Sequence, residues 1–142
     1  MIGYFDSSAL VKLLVDEPDG ELVSALWDGC DVVTSSRLAC AEVPAAIAGA
    51  GRAHRLSPAD VERALAVWDG LAGSVRWVEL TPGIARAAGA RAVAHVLSGA
   101  DAVHLASAHA LGPASTVCIT WDRRLWTAAR AEGLAVAPAA LT

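Results

Sequence analysis

Four carboxylates stand out by position: Asp6, Glu42, Asp101 and Asp122. Asp6 ends a short apolar run, Ile2 to Phe5, and Asp122 follows a β-branched run, Thr116 to Thr120. Asp101 stands just after Ser98-Gly99, and Glu42 lies inside an alanine-rich segment. Gathered in one place, such groups repel. A pair about 4 Å apart costs roughly 4 kcal/mol at an effective dielectric near 20. A cluster of this kind survives by binding hard divalent cations through oxygen, as magnesium and manganese are bound. Two cations about 4 Å apart can clamp the attacking and leaving oxygens of an in-line phosphoryl displacement. Phosphodiester hydrolysis is the chemistry that this set of acids points to.

Three of the acids have a plainer use. Asp6, Asp101 and Asp122 each sit at an expected helix start, where an aspartate accepts a backbone N–H and complements the helix dipole. Glu42 resists that explanation. Its neighbours one turn away are Leu38, Ala39, Ala45 and Ala46, and a glutamate on an apolar stripe is costly unless paired or metal-bound. Its plainer uses are a partly exposed helix edge or an ion pair with Arg37. Pro44 removes a backbone donor and tends to kink a helix, which could aim Glu42 inward.

The elements that must position these acids follow from pattern. A first strand is expected at Ile2–Phe5, a second near Asp31–Thr34, a third at Val75–Leu80, a fourth at Thr116–Thr120 and a fifth at Leu134–Ala137. Helices are expected from Ser7, over Glu21–Trp27, over Arg37–Ala50 after the caps Ser35 and Ser36, and from Ser57-Pro58 to Leu71. Further helices are expected from Thr81-Pro82 to Ser98, over Ala102–Ala110 opened by Asp101, and over Arg123–Glu132 capped by Asp122. Short strands alternating with helices imply an α/β fold with a parallel sheet covered on both faces. The third and fourth helices, in direct succession, are expected to stand off it as a hairpin. The carboxyl ends of strands are where such sheets collect functional groups.

The chain has 142 residues, which fits a single domain over 1–142. Hydrophobic residues make up 55% and charged residues 18%, which excludes a disordered chain. A formal net charge of -4 argues against a protein that coats nucleic acid, but not against a nuclease with its acids in one cleft. Cys30, Cys40 and Cys118 fit no zinc spacing, no secretory pattern opens the sequence, and no apolar run is long enough for a bilayer. These features lead us to expect a soluble cytoplasmic protein with reduced thiols and no membrane contact.

The motifs carry a resemblance. DSSALVK at Asp6–Lys12, the helical glutamate in RLACAEV at Arg37–Val43, DAVHLASA at Asp101–Ala108 and ITWDRRL at Ile119–Leu125 resemble the PIN-domain ribonucleases. They most resemble the VapC-type toxins of bacterial toxin–antitoxin pairs. The resemblance implies a three-layer PIN-like sandwich, with a five-stranded parallel sheet in the order 3-2-1-4-5 and about seven helices. It implies a Mg²⁺- or Mn²⁺-dependent endoribonuclease. Asp6 and Asp101 match the most direct metal ligands, Asp122 the acid after the fourth strand and Glu42 the helical acid. The implied roles are metal coordination, directly or through water, and orientation of the attacking water. Ser8 and Thr120 match small hydroxyl positions that could hold a carboxylate. A homodimer and a cognate VapB-type antitoxin, seated around the hairpin of the third and fourth helices, are also implied.

Other residues invite a role. His104 lies three residues after Asp101 on one helix face, although imidazole is not the preferred ligand for magnesium. Arg123, Arg124 and the Arg52–Arg55 loop could meet RNA phosphates, and Trp121 could stack on an unpaired base. Two other functions compete with RNA cleavage. One is a non-catalytic binding module whose acids only cap helices. The other is an aspartyl phosphotransfer or phosphatase domain with Asp6 as nucleophile. That chemistry usually has a second acid two residues on, where this chain has Ser8.

Overall fold

The computed structural model describes residues 1–142. In chain order the elements are β1 (Ile2–Phe5), α1 (Ser7–Leu14), α2 (Gly20–Gly29), β2 (Val32–Ser36), α3 (Ala39–Arg52), α4 (Pro58–Ala72), β3 (Arg76–Val78), α5 (Pro82–His95), α6 (Gly99–Ala110), β4 (Thr116–Ile119), α7 (Arg123–Ala131) and β5 (Ala135–Ala137). The strands form one parallel sheet in the order β3-β2-β1-β4-β5. This is the expected three-layer α/β architecture.

Side chains of successive strand residues point to opposite faces, and β1 feeds two cores in this way. Tyr4 joins Leu97, Ala102, Leu105, Cys118, Leu125 and Ala129 under α5, α6 and α7. Phe5 joins Leu10, Val23, Val43, Ile47, Trp68 and Ile119 under α1 to α4. Each fully buried large apolar side chain contributes about 1.5–3 kcal/mol. Gly3 lies between them with no room for a side chain, because a Cβ there would run into Cys30 Sγ and the Phe5 ring. Helices α3 and α4 approach closely where Gly51 meets Val61, 2.7 Å from where a Cβ would stand. No helix is long and apolar enough to cross a membrane.

The caps explain most boundaries. Ser57 Oγ accepts from Asp60 N–H with Pro58 following, and Thr81 Oγ1 accepts from Ile84 N–H with Pro82 following. Three details depart from the sequence-based reading. Helix α3 starts at Ala39 because Ser36 Oγ takes the Leu38 N–H and turns the chain first. Glu42 therefore lies in the first turn of α3, not deep inside it. Helix α6 starts at Gly99, because Ser98 Oγ accepts the Asp101 N–H. Asp101 is thus an acid of the first turn and not its cap. Strands β3 and β5 are three residues each, shorter than expected, as they lie at the sheet edges with pairing on one side only.

Candidate active site

Strands β1 and β4 pair in parallel with Phe5 opposite Ile119, so the next residues, Asp6 and Thr120, leave the sheet side by side. Asp6 N–H donates to Ile119 O at 3.2 Å, which fixes the exit of the chain. The Asp6 carboxylate is 3% exposed. It caps α1 by accepting the Ala9 N–H at Oδ1 (2.9 Å), as a plain cap would. It also accepts two hydroxyl protons, from Ser8 at Oδ1 (2.7 Å) and from Thr120 at Oδ2 (2.6 Å). A carboxylate offers about four lone-pair directions. Three are filled, and the open one is on Oδ2.

Ser8 and Thr120 tie this acid to the next. Trp121 N–H donates to Ser8 Oγ (3.1 Å), and Asp122 N–H donates to Thr120 Oγ1 (3.0 Å). Asp122 then caps α7 by accepting the Leu125 N–H. Asp101, released from capping by Ser98, shares its surroundings with Asp122 and Glu42, whose charges both act on it. The ends of β1 and β4 and the first turns of α3 and α6 thus bring the four acids to one end of the sheet.

Glu42 is held by residues that local pattern does not reveal. Its Oε1 accepts from Ser7 Oγ at 2.7 Å and meets His104 Nε2 at 2.6 Å. Oε2 carries no such contact, and the side chain remains 31% exposed. The ion pair with Arg37 does not form, because Arg37 is engaged by Glu79. Ser7 was visible only as a helix start. The signal for His104 was its spacing from Asp101, and the structure turns it toward Glu42.

The electrostatics differ from acid to acid. Burial pushes the Asp6 carboxyl above the usual aspartate range, against the opposing pull of His104, Thr120, Ser8 and the Ala9 N–H. Burial also raises Asp101, and the charges of Asp122 and Glu42 raise it further. Glu42 goes the other way. Burial would lift it, but the hydrogen bond and charge of His104, with the Ser7 hydroxyl, hold it below the usual range. Carboxylates raised by burial and by one another are oxygen donors suited to a hard divalent cation. No three His, Cys, Asp or Glu side chains stand ready around a single point as a ligand set.

The PIN-domain family matches residues 3–131 of this sequence. The chain is 53% identical over 138 residues to Ribonuclease VapC45 of Mycobacterium tuberculosis (strain CDC 1551 / Oshkosh), with 97% of this chain and 96% of the relative covered. Ribonuclease VapC49 of M. tuberculosis (strain ATCC 25618 / H37Rv) matches to the same extent. The chain belongs to the PIN-domain family, in its VapC branch. Solved structures agree on the fold. The crystal structure of M. tuberculosis VapC20, a sarcin-ricin loop cleaving toxin, superposes with a TM-score of 0.67 at 20% identity, over 93% of this chain and 95% of that one. VapBC2 from Rickettsia felis, bound to a DNA fragment from their promoter, gives 0.66 at 12% identity, over 96% and 97%.

In this PIN domain the rim of the acid site is also ordered. The Trp121 indole N–H donates to Asp19 Oδ2 (3.0 Å), and Lys12 Nζ lies 5.3 Å from the centroid of its ring. Lys12 Nζ also reaches Glu17 and Pro18 O. Trp121 therefore clamps the turn after α1 to the end of β4. Arg123 and Arg124 are exposed, as are Arg52, His54 and Arg55. On the flank of the PIN domain, Val11, Val15, Ala46, Ile47, Ala50 and Leu56 line a groove of about 340 Å³ between α1 and the α3–α4 hairpin, edged by Asp16, Glu17 and Arg55.

Proposed function

We propose that this chain is a Mg²⁺- or Mn²⁺-dependent endoribonuclease, the toxic half of a VapBC-type pair, restrained by a cognate VapB-type antitoxin. The observation that carries the reading is Asp6. A buried carboxylate fastened by Ser8, Thr120 and the Ala9 N–H, with one lone pair left open at the end of the sheet where the first turns of α3 and α6 bring Glu42 and Asp101, is more than a helix cap needs. The ribonuclease names of the relatives that share half of its residues support the same activity.

Asp6, Asp101 and Asp122 would hold the cation in this reading, directly or through water, with Asp6 and Asp101 the most direct. Ser8 and Thr120 keep Asp6 ionised and aimed. Glu42 orients the attacking water through Oε2. A bound divalent cation supplies neutralisation of the charge that builds on the phosphodiester oxygens. No side chain attacks phosphorus. Aspartyl phosphotransfer usually has a second acid two residues on; this chain has Ser8 there, and its hydroxyl donates to Asp6 Oδ1.

The apolar groove beside α1, α3 and α4 supports the antitoxin, since an amphipathic partner helix lays its apolar face into such a groove. A homodimer belongs to the same reading. Val93 and Val96 stand 84% and 77% exposed at the end of α5, and sedimentation of the purified chain tests whether a second copy covers them. The deciding experiment is cleavage of single-stranded RNA with Mg²⁺ or Mn²⁺. Wild type cleaves, whereas Asp6→Asn and Asp101→Asn stay folded and inactive. Equal cleavage by wild type and Asp101→Asn sinks the assignment.

A further inference from the structure

We infer that His104 is a positioning residue for the acid site: it fixes Glu42 through Nε2, so that the free carboxylate oxygen Oε2 faces the site. This rests on the nuclease reading above and adds to it a residue that touches neither cation nor RNA.

His104 is 2% exposed, and both ring nitrogens are engaged. Nε2 meets Glu42 Oε1 at 2.6 Å, with Ser7 Oγ 3.3 Å from the same nitrogen. Nδ1 faces the Tyr4 hydroxyl at 2.8 Å, and the two rings meet edge to face with centroids 5.9 Å apart. An ionised carboxylate can only accept, so Nε2 carries a proton toward Glu42. Nδ1 accepts from the Tyr4 O–H when the ring is neutral and donates to the Tyr4 oxygen when it is charged, so the contact holds in either state.

The order of attachments gives the function. Tyr4 is fully buried in β1, with β2 on one side and β4 on the other. Its hydroxyl therefore has a fixed place in the sheet. His104 carries that place across to Glu42, which stands on α3 and is itself only half-buried. Ser7, directly after Asp6, closes the triangle from α1 by donating to the same Oε1. Two donors on one oxygen leave the other oriented and open. A glutamate at a helix edge has three rotatable bonds, and without these donors it would sample several rotamers. Partners of this kind, one step behind the reacting groups, are worth about 10–100-fold in activity.

The test uses the full chain and two amides of different reach. In His104→Gln the amide nitrogen falls near the position of Nε2 and can still donate to Glu42. In His104→Asn the amide falls near Nδ1 and keeps only the Tyr4 side. Steady-state cleavage of RNA should show kcat reduced about 10–100-fold in His104→Asn with KM unchanged. His104→Gln should recover most of that loss. Wild-type kcat in both variants overturns the inference, as does an equal loss in both while circular dichroism shows them folded. Tyr4→Phe leaves His104 in place but unanchored, and it decides the matter should the His104 variants fail to fold. A fall in kcat at constant KM supports the inference, and an unchanged kcat in folded Tyr4→Phe overturns it. Failure of the nuclease reading looks different, since then wild type itself cleaves nothing. An active wild type, an inactive Asp101→Asn and a fully active His104→Asn overturn this inference alone.

Discussion

Thr120 joins two acids through one oxygen, donating to Asp6 Oδ2 while accepting the Asp122 N–H. Replacing it with valine keeps the shape and removes both bonds. We expect Thr120→Val to cost about 1–3 kcal/mol in denaturant unfolding, because buried polar groups lose their partner. Cation affinity should fall about 10–100-fold by titration calorimetry. Asp101 makes the opposite prediction. Its folded pKa is raised, by burial first and then by Asp122 and Glu42, so the folded state binds its proton more tightly than the unfolded state does. Stability from this group is present at acid pH and is lost as pH rises through the folded pKa. Asp101→Asn should therefore raise the melting temperature of the metal-free protein at neutral pH, a gain that fades on acidification below the ordinary aspartate range. A mutant no more stable than wild type at pH 7 contradicts the repulsion. Asp6 and Asp122 stood out because each follows an apolar strand run, and strand ends are readable, whereas Ser8 and Thr120 came from motif resemblance. The capping role assigned to Asp101 missed Ser98, three residues earlier and the better cap. His104 and Ser7 could not be read as a pair on Glu42. Their meeting depends on where α1, α3 and α6 lie relative to one another, which no local spacing records.

At the scale of elements, α3 is the helix to test. It carries Glu42 in its first turn, Pro44 inside it and Gly51 near its end. Pro44 removes an internal backbone bond, so Pro44→Ala should stabilise the protein by about 1–3 kcal/mol without changing cleavage, since Ser7 and His104 aim Glu42. Lost activity in Pro44→Ala would assign that aim to the proline. Gly51→Ala meets Val61 Cγ2 at 2.7 Å and should cost about 1–3 kcal/mol by overpacking the hairpin. Most helices were legible at their starts, where Ser57-Pro58 and Thr81-Pro82 state both cap and first residue. The edge strands β3 and β5 were drawn too long. Their apolar runs continue past the last residue that has a partner strand, and the run is visible in sequence while the pairing is not.

At the scale of the whole molecule, alternation of strands and helices was enough for a parallel α/β sheet, but the order β3-β2-β1-β4-β5 came from motif resemblance. Periodicity says which face is buried and nothing about which strand is next door. In the proposed reading Mg²⁺ or Mn²⁺ binds only the assembled acids, so it should raise the melting temperature of wild type. The gain is about 2.7 kcal/mol at a hundred times Kd, reversed by chelator and absent in Asp101→Asn. Ala46→Arg, on the exposed lip of the groove, should abolish inhibition by the antitoxin in a cleavage assay while leaving cleavage itself intact. The pairing of β1 with β4 has one more consequence, in time. Asp6 leaves the ribosome early, yet the hydroxyl that holds it belongs to a residue 114 positions later. At about 5–20 residues per second, the first acid waits roughly 6 to 23 seconds for its support. A nascent chain that stops before Thr120 lacks both Thr120 and Asp122, so in the proposed reading its acid site is incomplete and cleavage waits for both.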